Sequence, residues 1–187
     1  MKTGKRMITM GLATGLLALG VACSQQEMPA GEPTAELPAP TKAIAVLHPA
    51  NGTAVSGVVS FEQVEGGVMV TAVVEGLTPG KHGFHIHQYG DCSAPDATSA
   101  GGHFSPMSHP HGAPTDMERH VGDLGNLEAD STGRAEYKWT DPHLTFSGRN
   151  SIIGRGLIVH ADEDDLTSQP TGAAGARVAC GVIGVDE

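Results

Sequence analysis

Positive charge is scarce in this sequence: 11 Lys and Arg stand against 21 Asp and Glu, a formal net charge of −10. With no basic stripe to meet phosphates, nucleic acid is excluded as a partner, and a small anion could be held only at a local positive site. No window carries a sustained helical period, which removes helical bundles from consideration. A long hydrophobic run is also missing. The most apolar stretch, MITMGLATGLLALGVA (residues 7–22), falls short of the roughly 20 residues of a transmembrane helix. Only three cysteines are present, Cys23, Cys92 and Cys180, so at most one disulfide can form within the chain.

The apolar stretch follows a basic head of Lys2, Lys5 and Arg6, and residues 1–22 together read as an export signal. LGVAC, small residues before Cys23, resembles the processing site of bacterial lipoproteins, in which that cysteine is lipidated and becomes the new N-terminus. Residues 23–41 then form a lipidated cysteine and a Pro-, Ala- and Glu-rich tether with almost nothing to bury. A lipid on Cys23 would be the chain's sole membrane attachment and would place it in the periplasm or cell envelope. Removing residues 1–22 leaves eight basic residues against 21 acidic ones, a net charge of −13. If Cys23 carries lipid, Cys92 and Cys180 remain as a pair, in a compartment where disulfides persist.

The folded domain is expected over residues 42–187. KAIAVLHP (42–49), AVSGVVSFEQV (54–64) and GVMVTAVVEGL (67–77) alternate as strands, separated by turn residues. LGNLEADSTGRAEYKWT (124–140), GRGLIVHA (154–161) and GARVACGVIGV (175–185) are strand-like too. Many short antiparallel strands with Gly-rich turns predict an all-β fold, a sandwich or barrel. Between them lie two stretches rich in Gly, Pro, Ser, His and Asp, residues 88–123 and 161–176. A loop of about 36 residues is uncommon in a compact domain and needs an anchor.

The histidines point to a metal as that anchor. In GFHIHQYGDC (83–92), His85 and His87 stand two apart in an apolar run, which on an extended strand puts both rings on one face. The long loop adds His103, His111 and His120 with Asp123, and His160 follows on a later strand. Three imidazoles and a carboxylate suit a closed tetrahedral zinc site. His85, His87 and His160 suit copper but are one ligand short, and a loop histidine shared by both metals would complete both sites.

Taken together, GFHIHQYGDCSAPDATSAGGHFSP, HGAPTDMERHVGDLGN, IIGRGLIVHADEDDL and TGAAGARVACGVIG resemble the copper/zinc superoxide dismutases over residues 43–185, in their bacterial exported form. The resemblance implies a Greek-key sandwich or barrel of about eight strands. It implies copper on His85, His87, His103 and His160, and zinc on His103, His111, His120 and Asp123. His103 would bridge the metals and carry a proton in the catalytic cycle. Asp164 would hydrogen-bond His85 and His111, Cys92 and Cys180 would form the disulfide, and Arg177 would dock superoxide, with Thr171 on the channel wall. The implied reaction turns superoxide into oxygen and hydrogen peroxide, protecting the cell envelope. The segment Asp165–Thr171 is shorter than in many animal and plant relatives and lacks their Lys and Glu, which weakens long-range steering of the substrate. His48, His82, His109 and His143 are left as surface residues. The main rival is a non-catalytic exported copper/zinc-binding protein, which would have no use for Arg177. Monomer and homodimer are both open, no clear apolar patch being visible in the sequence.

Overall fold

The computed structural model describes residues 39–187, with Met1 and Gly4. The expected export signal, Cys23 and most of the tether lie outside the described residues. Nine strands follow in order: β1 Lys42–Pro49, β2 Ser56–Val64, β3 Gly67–Glu75, β4 Gly80–His87, β5 Asp123–Ala129, β6 Ala135–Asp141, β7 Gly156–His160, β8 Arg177–Val182 and β9 Gly184–Val185. Among the described residues the only helical element is a 3-10 turn, Thr98–Ala100.

Alternation in the first three strands does what period two requires. Ala43, Ala45 and Leu47 of β1, Val59 and Phe61 of β2, and Val68, Val70, Ala72 and Val74 of β3 all point into one core. The strands pair in the order β2-β3-β6-β5-β4-β7-β8-β1, and β1 pairs back to β2, closing an antiparallel barrel. Both β8 and β9 lie along β1, β8 at His48 and Pro49 and β9 at Ala43 and Ile44, so the two are halves of one strand interrupted at Ile183. Eight positions around the barrel result. Closure leaves no free edge to template aggregation. Two connections, β3 to β4 and β6 to β7, skip over neighbouring strands, as a Greek key requires.

β4 differs from the rest. It is buried over six consecutive residues, His82–His87, with Phe84 and Ile86 in the barrel core and the histidines between them covered by loops. The long loop over residues 88–122 is pinned at two points. Cys92 is disulfide-bonded to Cys180 of β8. Near its far end Arg119, 1% exposed, lies inside the protein with its guanidinium 2.5 Å from Asp141 of β6 and donating to the carbonyls of Pro114 and His120. This buried ion pair is an anchor for the loop in addition to the metal that the sequence suggests. Asp123 proves to be the first residue of β5, not part of the loop. Residues 142–155, between β6 and β7, form a third loop that sends Leu144, Phe146 and Ile152 into the core.

Candidate metal centre

Four elements converge on one region beside the barrel wall. β4 presents His85 and His87 on the face opposite Phe84 and Ile86. β7, its neighbour, ends at His160, and β5 opens at Asp123 opposite His85. Both neighbours of β4 carry a register irregularity here, at Gly83/His85 on the β5 side and at Val159/His160 between β7 and β8. Such bulges re-aim side chains locally. The long loop returns against β4 through a bridge between His87 and His103, and supplies His111 and His120.

Two donor clusters result, sharing His103: His85, His87, His103 and His160 in one, and His103, His111, His120 and Asp123 in the other. Within each cluster one ligand atom per residue lies within 4.8 Å of the others, and all seven residues are buried. Hydrogen bonds decide which nitrogen each ring turns inward. His87 Nδ1 donates to the Gly101 carbonyl at 2.9 Å and His160 Nδ1 to the Gly175 carbonyl at 3.2 Å, leaving their Nε2 atoms facing each other at 3.4 Å. His85 Nε2 and His111 Nε2 donate to the two oxygens of Asp164 at 2.7 and 2.8 Å. Their Nδ1 atoms, like His103 Nε2, are buried with no hydrogen-bond partner.

In the second cluster, Nδ1 of His103, His111 and His120 lies 2.8, 3.0 and 3.1 Å from a single oxygen, Asp123 Oδ1. The His111 contact lacks hydrogen-bond alignment despite its length. Bare imidazole nitrogens facing one another are costly when buried. A cation in each cluster satisfies all of them, and the donor sets, four nitrogens on one side and three nitrogens with a carboxylate oxygen on the other, fit copper and zinc.

Electrostatics prepare the first cluster for metal. Burial pushes the His103 ring down to about 4 and the His160 ring down to about 3, and lowers His85 and His87 as well. These rings are therefore neutral, the form that binds metal. Burial works the same way on His111, but the carboxylates of Asp123 and Asp164 outweigh it and hold that ring up at about 9. Burial would raise both carboxylates; their histidine partners instead keep Asp123 and Asp164 well below the usual carboxylate range.

Beside the first cluster, Arg177 is fixed by bonds from Nη1 to the Ala97 carbonyl at 2.5 Å and from Nη2 to the Gly101 carbonyl at 2.6 Å, the same carbonyl that orients His87. A polar cavity of about 270 Å³ adjoins it, lined by Asn51, Asp96, Thr98, Gly175, Ala176 and Arg177.

The family model described as copper/zinc superoxide dismutase matches residues 55–183. The chain belongs to that family. A superoxide dismutase [Cu-Zn] of Onchocerca volvulus is 51% identical over 156 residues, covering 78% of this chain and 96% of the relative. An extracellular superoxide dismutase [Cu-Zn] of Brugia pahangi is 49% identical, covering 76% and 75%. Among solved structures, a clock protein called EA4 matches with a TM-score of 0.74 at 42% identity, over 81% of this chain and 98% of that one. As a member of the copper/zinc superoxide dismutase family the chain is an enzyme of superoxide dismutation, and its His and Asp clusters are suited to copper and zinc.

The seven cluster residues come together here, with Asp164 between His85 and His111 and Arg177 at the adjoining cavity. Thr171 is not among the cavity's lining residues, where Thr98 stands instead. His82 is a correction: it is 3% exposed, not a surface residue, and its ring bonds the carbonyls of His160 and Thr78, both at 2.8 Å. His109 and His143 are half-buried and only His48 is exposed.

Two supporting side chains went unnoticed in the sequence. Asn126 of β5 clamps the Asp164 backbone from both sides, accepting from its N–H at 2.8 Å and donating to its carbonyl at 2.9 Å. Gln169 does the same for His111, at 2.9 Å each way. An amide flanked by leucine and glycine inside a buried strand, LGNL, was the available signal for Asn126. Gln169, in a short polar loop, left none.

Proposed function

We propose that the chain is an exported superoxide dismutase of the bacterial cell envelope, with copper on His85, His87, His103 and His160 and zinc on His103, His111, His120 and Asp123. One observation carries the metal assignment. The two ring nitrogens of His103 face different clusters, Nδ1 toward Asp123 and His120 and the buried, partnerless Nε2 away from them. A single imidazole that belongs to both clusters is placed to serve as a bridge.

Bound copper would supply one-electron chemistry, oxidising one superoxide to oxygen and reducing a second to peroxide. His103 would be placed to hold a proton at Nε2, which is buried with no hydrogen-bond partner among the described residues. Arg177 would dock the anion: its charge is fixed by two carbonyls next to His87, and a planar guanidinium keeps that charge at all working pH values. Asp164 would hold the rings of His85 and His111 in the tautomer that bares Nδ1.

Export, with a signal over residues 1–22 and a lipidated Cys23 on a tether to residue 41, is supported by the Cys92–Cys180 disulfide and by the extracellular relative. Two copies of the chain would meet on the outer face of β1, β2, β8 and β9, where Val46, Val58, Val182 and Val185 are exposed, an apolar stripe that sequence reading missed.

Metal titration tests the assignment. The metal-free chain is expected to take one copper and one zinc, and His111→Ala is expected to lose zinc to a chelator well before copper. Equal loss of both metals would contradict separate sites. For the anchor, the intact mass of the chain from bacterial membranes should carry a lipid that Cys23→Ser abolishes, and an unmodified, freely soluble chain would refute it.

A further inference from the structure

We propose that Asp96 is a built-in counter-charge to Arg177 that sets which anions the copper side admits, selecting monoanions over dianions. This rests on the reading of Arg177 as the docking group.

Asp96 and Arg177 are the two charged residues among those lining the 270 Å³ cavity. Two of its lining residues are tied to the copper cluster by hydrogen bonds: the Gly175 carbonyl accepts from His160, and Arg177 shares the Gly101 carbonyl with His87. Asp96 is exposed, but its carboxylate is held in place. Its Oδ1 accepts from the Thr98 N–H at 3.1 Å and the Thr98 hydroxyl at 2.7 Å. The residue between them, Ala97, is buried at a positive φ of 57° and turns its carbonyl to Arg177. One turn thus fixes the guanidinium and the carboxylate on the walls of the same cavity. They form no direct ion pair, so neither cancels the other by contact.

An anion docking at Arg177 therefore meets a fixed negative charge. Solvent screens an exposed carboxylate, and the repulsion amounts to a few-fold in affinity for a monoanion. Coulomb energy doubles for a dianion, so the factor is squared. Superoxide, a monoanion, is admitted at small cost, whereas abundant dianions such as sulfate or hydrogen phosphate are held off from a site they would otherwise block.

The test uses the copper- and zinc-loaded protein with azide as monoanion, read by the copper absorption band it creates, and sulfate as dianion, read by its displacement of azide. Asparagine at position 96 can still accept both Thr98 bonds, so the turn is kept. Asp96→Asn should tighten azide about threefold and sulfate about ninefold, and Asp96→Glu should leave both near wild type. No change, or an equal change for both anions, would overturn the proposal for Asp96. Arg177→Met separates the two readings. If it weakens both anions while Asp96→Asn alters neither, Arg177 docks anions and Asp96 does not select them. If Arg177→Met leaves both unchanged, the docking reading falls and this one with it.

Discussion

At the scale of single residues, the site depends on which nitrogen each ring bares, and Asp164 decides this for two of them. Its oxygens each take one N–H, from His85 and from His111. Behind it, Gly172 sits at a positive φ of 67°, so close that a Cβ there would lie 1.8 Å from Asp164 Oδ1. Asp164→Asn retains the shape but can accept only one of these bonds. Metal affinity should fall about 10- to 100-fold, the usual effect of losing such a supporting carboxylate, and competition with a chelator measures it. The same rings set the acid response of the metal-free chain. Burial lowers His103 to about 4 and His160 to about 3 from an ordinary 6.5, so below pH 6.5 the unfolded chain takes protons that the folded one refuses, and stability drops as pH falls. His111 works the other way: held up at about 9, it stabilises the fold below pH 6.5 and loses that contribution as pH rises through 9. Stability of the metal-free protein should therefore peak near pH 6.5. A rise in midpoint temperature on acidifying from 6.5 to 4.5 would contradict this.

At the scale of elements, the barrel positions three strands and a loop does the rest. The loop of residues 88–122 is anchored inside by Arg119 on Asp141, both side chains fully buried. Removing one partner of such a pair leaves a buried charge uncompensated, a loss of about 3–5 kcal/mol. Asp141→Ala should show that loss in urea unfolding and should also loosen zinc, because Arg119 adjoins His120 and bonds its carbonyl. Unchanged zinc retention would mean that the ion pair serves the barrel alone. This anchor also marks where sequence reading stops. Val68, Val70, Ala72 and Val74 announce β3 by alternation, and His85 and His87 announce a shared face. By contrast, Arg119 looks like any exposed charge in ERHVGD, because its partner is 22 residues away on another strand. The buried ring of His82 was illegible for the same reason: its bond to the His160 carbonyl spans 78 residues. Local pattern reports periodicity and ligand type, while long-range pairing appears only once the barrel closes.

Across the whole molecule, the disulfide ties the loop start to the last long strand, closing a separation of 88 residues. In the chain-entropy description it contributes up to about 4–5 kcal/mol. Reduction should lower the unfolding midpoint and speed zinc loss from the native protein, and zinc retention indifferent to reduction would show that the bridge does not hold the metal loop. A net charge of −10 surrounds the guanidinium of Arg177, held by backbone carbonyls, so on the docking role proposed for it substrate capture would depend on local attraction more than on the overall field. On the roles proposed for them, Arg177 and a bridging His103 would together turn over superoxide. The most direct measurement is the dismutation rate of the protein loaded with one copper and one zinc. The second-order rate constant is expected near the diffusional range of about 10⁸–10⁹ M⁻¹s⁻¹, for which superoxide dismutase is itself a standard example, abolished by removing copper and restored by returning it. Both metals bound without turnover would contradict it and leave an exported copper/zinc-binding protein in its place.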